Sequence, residues 1–407
     1  MISNDIRLNQ QVSKNYTQTV SARLTIEPFR DFNIEVSLDK NFTSNYLEFF
    51  KDDGSGRGFQ HLSPTEIGSF DISYLGIKTL FGSNPDSLYN QFERQREIFS
   101  HLLPNKPNAG EHEKYPDYTE GLGKKNQNVI LPAFIATYTG LDPLKTRTDI
   151  FKTLPRPNWQ LNYTGLHKLP FLKNVLSAGS IRHSYQSKMT INQFNTDIFY
   201  SPDSVYRKKA ITRDYYSRIE IPSVVISEAF RPLIGIDIKT TGDLSLNVDY
   251  SVERGLSFTM IDYQLIEQNS KELTMGFGWR IKNVVMPFRK KTTTRTKAPT
   301  TPDATAPAAT GSRGRKKNAA KKGNDLNLKF DLSYRNDFTD QHVLDQLQKV
   351  TTRGAETLRF DNTAEYEVND RVTLRAFFNY SRTIPAVSES YPITTARGGI
   401  TIRLALK

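Results

Sequence analysis

The chain has 407 residues and no Cys, which excludes disulfides and thiolate metal sites. Its net charge is +12, but residues 289–322 carry eleven basic side chains and one acid, Asp303. That segment therefore accounts for +10, and the rest of the chain for about +2, so the basic character belongs to one segment. No stretch of 18 apolar residues is present, which excludes transmembrane helices.

The first third of the chain is less regular than the remainder. A helical face formed by Leu88, Phe92, Phe99 and Leu102 predicts a helix over 87–103. Residues 52–58 predict a flexible loop, and the polar run 109–127 predicts a second one. Weaker strand patterns lie near residues 20–27, 32–40, 68–80, 129–138 and 158–164.

From residue 176 onward the sequence alternates between apolar and polar residues, which is typical of strands with two different faces. Turn residues at 240–243, 253–255 and 368–370 predict hairpins. The predicted strands lie near 176–191, 218–230, 232–240, 243–252, 256–266, 272–286, 326–335, 356–366, 370–381 and 396–407. A phase slip between Met260 and Ile261 predicts a bulge.

Several of these runs reach about ten residues, which is the length of a tilted strand that crosses a bilayer. The composition, 37% hydrophobic but 11% aromatic, suits a barrel with a polar lumen and aromatic girdles. We therefore predict an all-β, antiparallel transmembrane β-barrel segment over residues 1–407, with roughly 14–15 strands of a larger barrel. A soluble β-sandwich that buries the same apolar faces is the alternative.

Successive antiparallel strands run in opposite directions, so successive connections lie alternately on the two sides of such a barrel. Counted back from a periplasmic C-terminus, the long connections 192–217, 336–355 and 382–395 fall outside the cell, as in other barrels. The segment 289–325, rich in Thr, Ala and Pro, predicts a disordered basic loop between strands on the periplasmic side.

The alternation also predicts which side chains meet lipid and which face the lumen. The predicted lipid-facing residues are Leu244, Leu246, Val248, Phe277, Trp279, Phe378, Ile402 and Leu404. The predicted lumen-facing residues are Arg280, Lys282, Arg375, Asn379 and Arg403. Charge placed in the lumen avoids a penalty of roughly 2–4 kcal/mol at the bilayer midplane.

No pattern in the sequence indicates catalysis, a cofactor or a metal site, and we predict no enzymatic activity. Nucleophile elbows, phosphate-binding loops and dinucleotide fingerprints are absent. Glu111, His112 and Glu113 predict a solvated loop, because a single His with adjacent acids does not form a closed coordination shell. The basic loop predicts a solvated connection or a contact with anionic headgroups or an acidic periplasmic partner; no aromatic lies between Phe288 and Phe330, which argues against nucleic acid.

Several segments, in order along the chain, resemble the C-terminal part of the SprA/Sov family, the outer-membrane translocon of the bacterial type IX secretion system. The most specific are NVILPAFIATYTG at 128–140 and LPRPNWQLNYTGL at 154–166. Shorter segments are LPF at 169–171, IRHSY at 181–185, FRPLIG at 230–235 and YRNDFT at 334–339.

The resemblance implies a wide single-chain barrel with a lateral opening in the bacterial outer membrane. It would export folded proteins that carry C-terminal sorting domains, and would contact a PorV-like small barrel and a periplasmic plug protein. In some members it implies a role in gliding motility of Bacteroidota. Because family chains are several times longer, we expect this chain to be a C-terminal fragment or a truncated gene product. A surface adhesin with long external loops is the second functional alternative.

Overall fold

Antiparallel strands form one continuous sheet in the computed structural model, which describes residues 10–52, 54–81, 85–284, 324–344, 346, 349–369, 371–387 and 390–405. Within these residues the sheet has 13 strands. They are β1 (Val12–Phe29), β2 (Phe32–Asp52), β3 (Phe59–Ser73), β4 (Asn158–Tyr163), β5 (Leu176–Thr196), β6 (Ile219–Glu220), β7 (Ser223–Thr240), β8 (Leu244–Thr259), β9 (Gln264–Val284), β10 (Asn324–Val343), β11 (Val350–Asn369), β12 (Val372–Pro385) and β13 (Ile393–Leu404).

The strands follow one another across the sheet in chain order, as in an up-and-down barrel wall. The main path runs β1-β2-β3-β5-β7-β8-β9-β10-β11-β12-β13. Among the described residues, β1 and β13 each pair with one neighbour, so this part of the chain forms an open wall. The expected all-β antiparallel fold class is confirmed.

One strand position of the wall is shared by two separate strands. β3 pairs with the second half of β2, and β4 pairs with Phe32–Ser37 in the first half, both in the same direction. The chain therefore leaves the wall after Ser73 and re-enters it at Asn158. Residues 74–157 form an excursion that we call the helical insert.

The helical insert contains α1 (Ile77–Leu80), α2 (Pro85–Leu102) and α3 (Gln127–Thr139), followed by short 3-10 helices at Pro143–Lys145 and Ile150–Lys152. α3 is buried from Val129 to Thr139 and lies at the centre of the hydrophobic core. The expected helix over 87–103 is confirmed as α2. Within the described residues no helix has the length and apolarity needed to cross a membrane.

Four local predictions were wrong. The apolar run 129–138 is helix α3, not a strand. The predicted turn at 253–255 lies inside β8, and β7 continues through the predicted break at residue 231. The expected bulge after Met260 is a hairpin turn between β8 and β9. The described residues consequently contain 13 strands, against the 14–15 predicted for the whole chain.

The connections at 197–218, 344–349 and 386–392 lie at one end of the wall, as parity predicted, and all three are shorter than expected because the strands extend further. Residues 289–323 of the predicted basic loop lie outside the described residues, and its last two residues, Asn324 and Asp325, already belong to β10.

Candidate functional site

The candidate site is the wall itself, because pairing registers carry each face unbroken across many strands. Leu246 of β8 lies opposite Phe277 of β9, which lies opposite Phe330 of β10. Asn247 lies opposite Gly276, which lies opposite Asp331. Since neighbouring residues of a strand point to opposite sides, these two rows define two faces of one sheet.

One face is polar from β2 to β12 and lines a groove of about 1280 Å³. Ser37 and Asp39 of β2 and Ser381 and Thr383 of β12 line this same groove. Strands at nearly opposite ends of the sheet order can share one groove only if the sheet curls with its polar face inward. The wall therefore has the curvature of a barrel with a polar lumen.

The opposite, convex face carries an apolar band on β7 to β13. We call the end of the wall with the connections 197–218 and 344–349 the upper end. The uppermost row of the band consists of Tyr250, Leu273, Tyr334 and Leu358, which lie side by side on four strands. The next row upward is Val252, Lys271, Asn336 and Glu356, so polar residues begin there. From Leu273 to Ile281, β9 keeps the band apolar over about 27 Å of strand, close to the apolar band of membrane barrels.

Aromatic residues lie at both margins of the apolar band. Tyr250 and Tyr334 belong to its upper row, whereas Trp279 and Tyr366 lie near the opposite end of the wall, which we call the hairpin end because the β7–β8 and β11–β12 turns lie there. Trp and Tyr at such margins are typical of the girdles at membrane–water interfaces. Tyr138, by contrast, lies inside α3 and is 1% exposed, so it is not part of these margins.

The register places the predicted lipid-facing and lumen-facing residues on different faces. Leu244, Leu246, Val248, Phe277, Trp279, Phe378, Ile402 and Leu404 all belong to the apolar face. Arg280, Arg375, Asn379 and Arg403 belong to the polar face. Lys282 lies beyond a register shift near the hairpin end, where it pairs with Asp243.

The helical insert packs on the convex face, above the apolar band. Val252, Arg254, Leu256 and Phe258 continue the apolar face of β8 upward, and all four are buried. Phe258 contacts Phe134 of α3 with ring centroids 5.8 Å apart. The sequence pattern missed this arrangement, because nothing in β8 distinguishes residues beneath the insert from residues of the band.

A buried ion pair joins the insert to the wall. The Arg254 Nε of β8 donates to the Glu228 Oε2 of β7 at 3.0 Å, and the two side chains are 2% and 0% exposed. Arg254 Nη2 also donates to the Thr79 hydroxyl at 2.9 Å and to the Tyr138 carbonyl at 3.3 Å. The guanidinium therefore binds the wall and two segments of the insert together.

The second carboxylate oxygen of Glu228 is bound as well. Tyr185 of β5 donates to Glu228 Oε1 at 3.2 Å, and the Gly76 amide donates to the Tyr185 hydroxyl at 3.2 Å. A Cβ on Gly76 would lie 2.0 Å from Glu228 Oε1, so the close approach of this backbone requires glycine.

The connection between β5 and β7 is tied to the far end of the insert. Lys208 donates to Glu113 at 2.6 Å and lies 2.7 Å from Glu120, which also accepts from Lys106 at 2.6 Å. Hydrogen bonds from these two lysines lower the pKa of Glu120 to about 2.

The expectation of a solvated loop is confirmed for Glu111 and Glu113, which are exposed, but was wrong for His112. Its imidazole is fully buried, with Nε2 3.4 Å from Asp214 Oδ1. Burial lowers the pKa of His112 and raises the pKa of Asp214. Asp214 also accepts from the Gly123 amide at 2.8 Å, so this pair holds the same connection against the insert. Across the described ranges no group of three or more His, Cys, Asp or Glu is placed to hold a metal ion.

Comparisons with known proteins add little. No family model and no curated protein matches the chain. Among solved structures, OmpT, an outer membrane protein of Vibrio cholerae folded in vitro (trimer form), is 8% identical with a TM-score of 0.20. The similarity covers 97% of this chain and 99% of that chain, but a score this low supports no inference about fold or function.

Glu228→Ala should lower the free energy of unfolding by about 3–5 kcal/mol, because it leaves the buried Arg254 charge without a counter-charge. Equilibrium unfolding in urea measures this loss. Glu253→Gln is the control. Glu253 precedes Arg254 in β8 and forms an exposed ion pair with Arg231, so its loss should lower the free energy of unfolding by only about 0–1 kcal/mol. Equal losses in the two variants would contradict the role of the buried pair.

Glu120 should make the insert sensitive to acid. Because the folded-state pKa lies below the unfolded value, its stabilising effect is present above about pH 4.5 and is lost as the pH falls toward 2. Glu120→Gln should remove this component, so wild type and variant should converge in stability at low pH. Tyrosine near-ultraviolet circular dichroism followed during acid titration measures it, and parallel titration curves would refute it.

Proposed function

We propose that the chain is a segment of an outer-membrane β-barrel whose convex apolar face meets lipid and whose concave polar face lines a water-filled channel. The carrying observation is the separation of the two faces over β7 to β13, which places charged side chains such as Arg280, Arg375 and Arg403 on the polar face and leaves Asn362, between Phe330 and Phe378, as a polar residue within the band. Charged side chains can be placed on such a wall at low cost only on the face away from lipid.

A soluble β-sandwich requires a second layer over the apolar band. Within the described residues the helical insert covers only the rows above the band, and large apolar side chains of the band remain exposed. Trp279 is 41% exposed, Phe378 47% and Ile402 61%. An exposed apolar surface of this extent is typical of a surface that meets lipid or a partner protein.

In its finer form the proposal is a translocon component resembling SprA/Sov, for protein export by the type IX secretion system and, in some members, gliding motility. The two most specific resembling segments form α3 and the re-entry into the wall through β4. They therefore belong to the helical insert and to the strand by which the chain re-enters the wall. These two features distinguish this wall from a simple barrel. Its partners would be client proteins, a PorV-like small barrel and a periplasmic plug.

In such a protein the barrel contributes to transport only by providing a wide, hydrated channel. A barrel widens with strand number, and polar side chains keep the lumen hydrated. A surface adhesin would have the same wall but would use the connections at 197–218 and 386–392 to bind ligands. Transport of a client protein distinguishes the two functions.

Adjacent cysteines in β13 test the orientation of the wall, since the natural chain has none. In lipid vesicles, Thr401→Cys on the polar face should react with a membrane-impermeant maleimide, whereas Ile402→Cys on the apolar face should be protected. Both should react after solubilisation and unfolding. Equal reactivity in vesicles would contradict the proposed lipid-facing surface.

The translocon form is tested on the native protein recovered from the outer membrane of the source cell with an antibody to its C-terminal peptide. The proposal predicts that a smaller barrel and a periplasmic plug protein are recovered with it. Recovery from the membrane without either partner would favour the adhesin.

A further inference from the structure

The contact surface between the helical insert and the wall contains a buried carboxyl group, that of Glu267 in β9. Glu267 lies opposite Leu256 of β8 on one side and opposite Asp340 of β10 on the other. It therefore points to the convex face, as Leu256 does, where the insert covers the wall. Glu267 is 2% exposed and lies six residues above Leu273 in β9, outside the apolar band.

Hydrogen bonds satisfy only half of the Glu267 carboxyl group. Asn269, two residues further along β9, donates from Nδ2 to Oε1 at 2.9 Å. Within the described ranges Oε2 is buried without a hydrogen-bond partner, and so is the hydroxyl group of Tyr138 in α3. The carboxyl group and this hydroxyl group are close enough to interact electrostatically. A carboxylate buried in this way loses its hydration without gaining enough donors, which disfavours its charged form.

The two cations that act on Glu267 are each bound to another carboxylate. Arg254 donates to Glu228 through Nε at 3.0 Å. Lys349, in the connection between β10 and β11, lies 3.1 Å from Asp340. An ionised Glu267 would therefore add an uncompensated negative charge to this contact surface. Burial accordingly raises the pKa of Glu267, and the charge of Asp340 raises it further.

His342 of β10 is a second titratable group of the same contact surface. It is 3% exposed and stacks on Tyr89 of α2 with ring centroids 4.5 Å apart. Burial lowers the pKa of His342, against the smaller opposite effects of Asp86 in α2 and of Asp340. Its contribution to stability is therefore present above about pH 6.5 and is lost as the pH falls, which is the opposite of the dependence that Glu267 produces.

We propose that Glu267 is a proton-binding site that controls how firmly the helical insert is held against the wall. The carboxyl group carries a proton while the insert covers it, and releases this proton to water when the insert separates from the wall. Because the pKa of the covered group lies above the ordinary value of 4.5, its contribution is fully present below about pH 4.5 and is lost as the pH rises through the raised pKa. The inference does not depend on which face of the wall meets lipid.

A buried cysteine measures the separation of the insert, since the natural chain has none. Ala136→Cys in α3 places a thiol at a fully buried position, so a water-soluble maleimide reaches it only when the insert opens. Ile211→Cys, in the connection between β5 and β7 and 79% exposed, reports the intrinsic reactivity of a thiol at each pH. The ratio of the two labelling rates in the full chain, measured from about pH 5 to about pH 8.5, follows the open fraction.

Glu267→Gln is the test variant, because a neutral amide imitates the protonated carboxyl group at nearly the same size. In the natural background the ratio should rise with pH by at most about tenfold per pH unit, and then level off. In the Glu267→Gln background this rise should be absent. The difference between the two backgrounds isolates Glu267, since both keep His342.

Glu48→Gln is the matched control. Glu48 is also buried, at 7% exposed, but it is hydrogen-bonded to Tyr46 and to His61 at 2.7 Å each, which favours its charged form. This variant should leave the rise of the ratio with pH unchanged, because Glu48 lies in β2 and is not part of the contact surface around Glu267.

Three results would overturn the proton-binding site. They are parallel profiles in the natural and Glu267→Gln backgrounds, a Glu267→Gln chain that does not fold, and a thiol at residue 136 that stays unlabelled even at the highest pH. A ratio that is equal in the two backgrounds at low pH and larger in the natural background at high pH would support it. Neither result decides the lipid-facing surface, which the reactivity of Ile402→Cys tests separately.

Discussion

The pleat of the β-strand, which sends successive side chains to opposite sides of the sheet, is the constraint on which this structure depends. Within the apolar band, the registers that pair β8 with β9, and β9 with β10, join apolar to apolar and polar to polar rows. A slip by one residue would move a side chain such as Arg375 to the convex face, where charge costs roughly 2–4 kcal/mol at the bilayer midplane. The alternation therefore specifies the register of the wall and its two environments together.

The wall can accommodate the helical insert because, at the break between β3 and β4, side chains replace the missing hydrogen bonds of the sheet. The Asn158 side chain accepts from the Ser187 amide at 2.8 Å, and the Ser73 hydroxyl accepts from the Asp39 amide at 3.0 Å. Backbone groups that would lose their partners at the break are thereby satisfied. The buried pair of Glu228 and Arg254 then fixes the orientation of the insert, since it is bonded to the wall and to the insert alike.

The sequence predicted the strands best where one face is apolar and the other polar, as in β10 to β13. It failed at α3, because a continuous apolar run does not distinguish a buried strand from a buried helix. The useful signals were the ends: Asn126 caps the first turn, and Gly140 ends the helix in the left-handed conformation at φ 64°. Arg254 looked like a turn residue because its partner, Glu228, lies 26 residues away, and no local pattern links them. For the same reason the burial of His112 against Asp214 could not be predicted.

The most direct test of the central claim is a spin-label accessibility scan of residues 373–381 in β12, with the full chain inserted in lipid vesicles. The account predicts that oxygen, which partitions into lipid, reaches labels at Leu374, Ala376, Phe378 and Tyr380 best. A water-soluble nickel complex should reach labels at Thr373, Arg375, Asn379 and Ser381 best, so that the two profiles are out of phase with a period of two residues. Two profiles in phase, or nickel access at every position, would contradict a wall with one face in lipid and one in water.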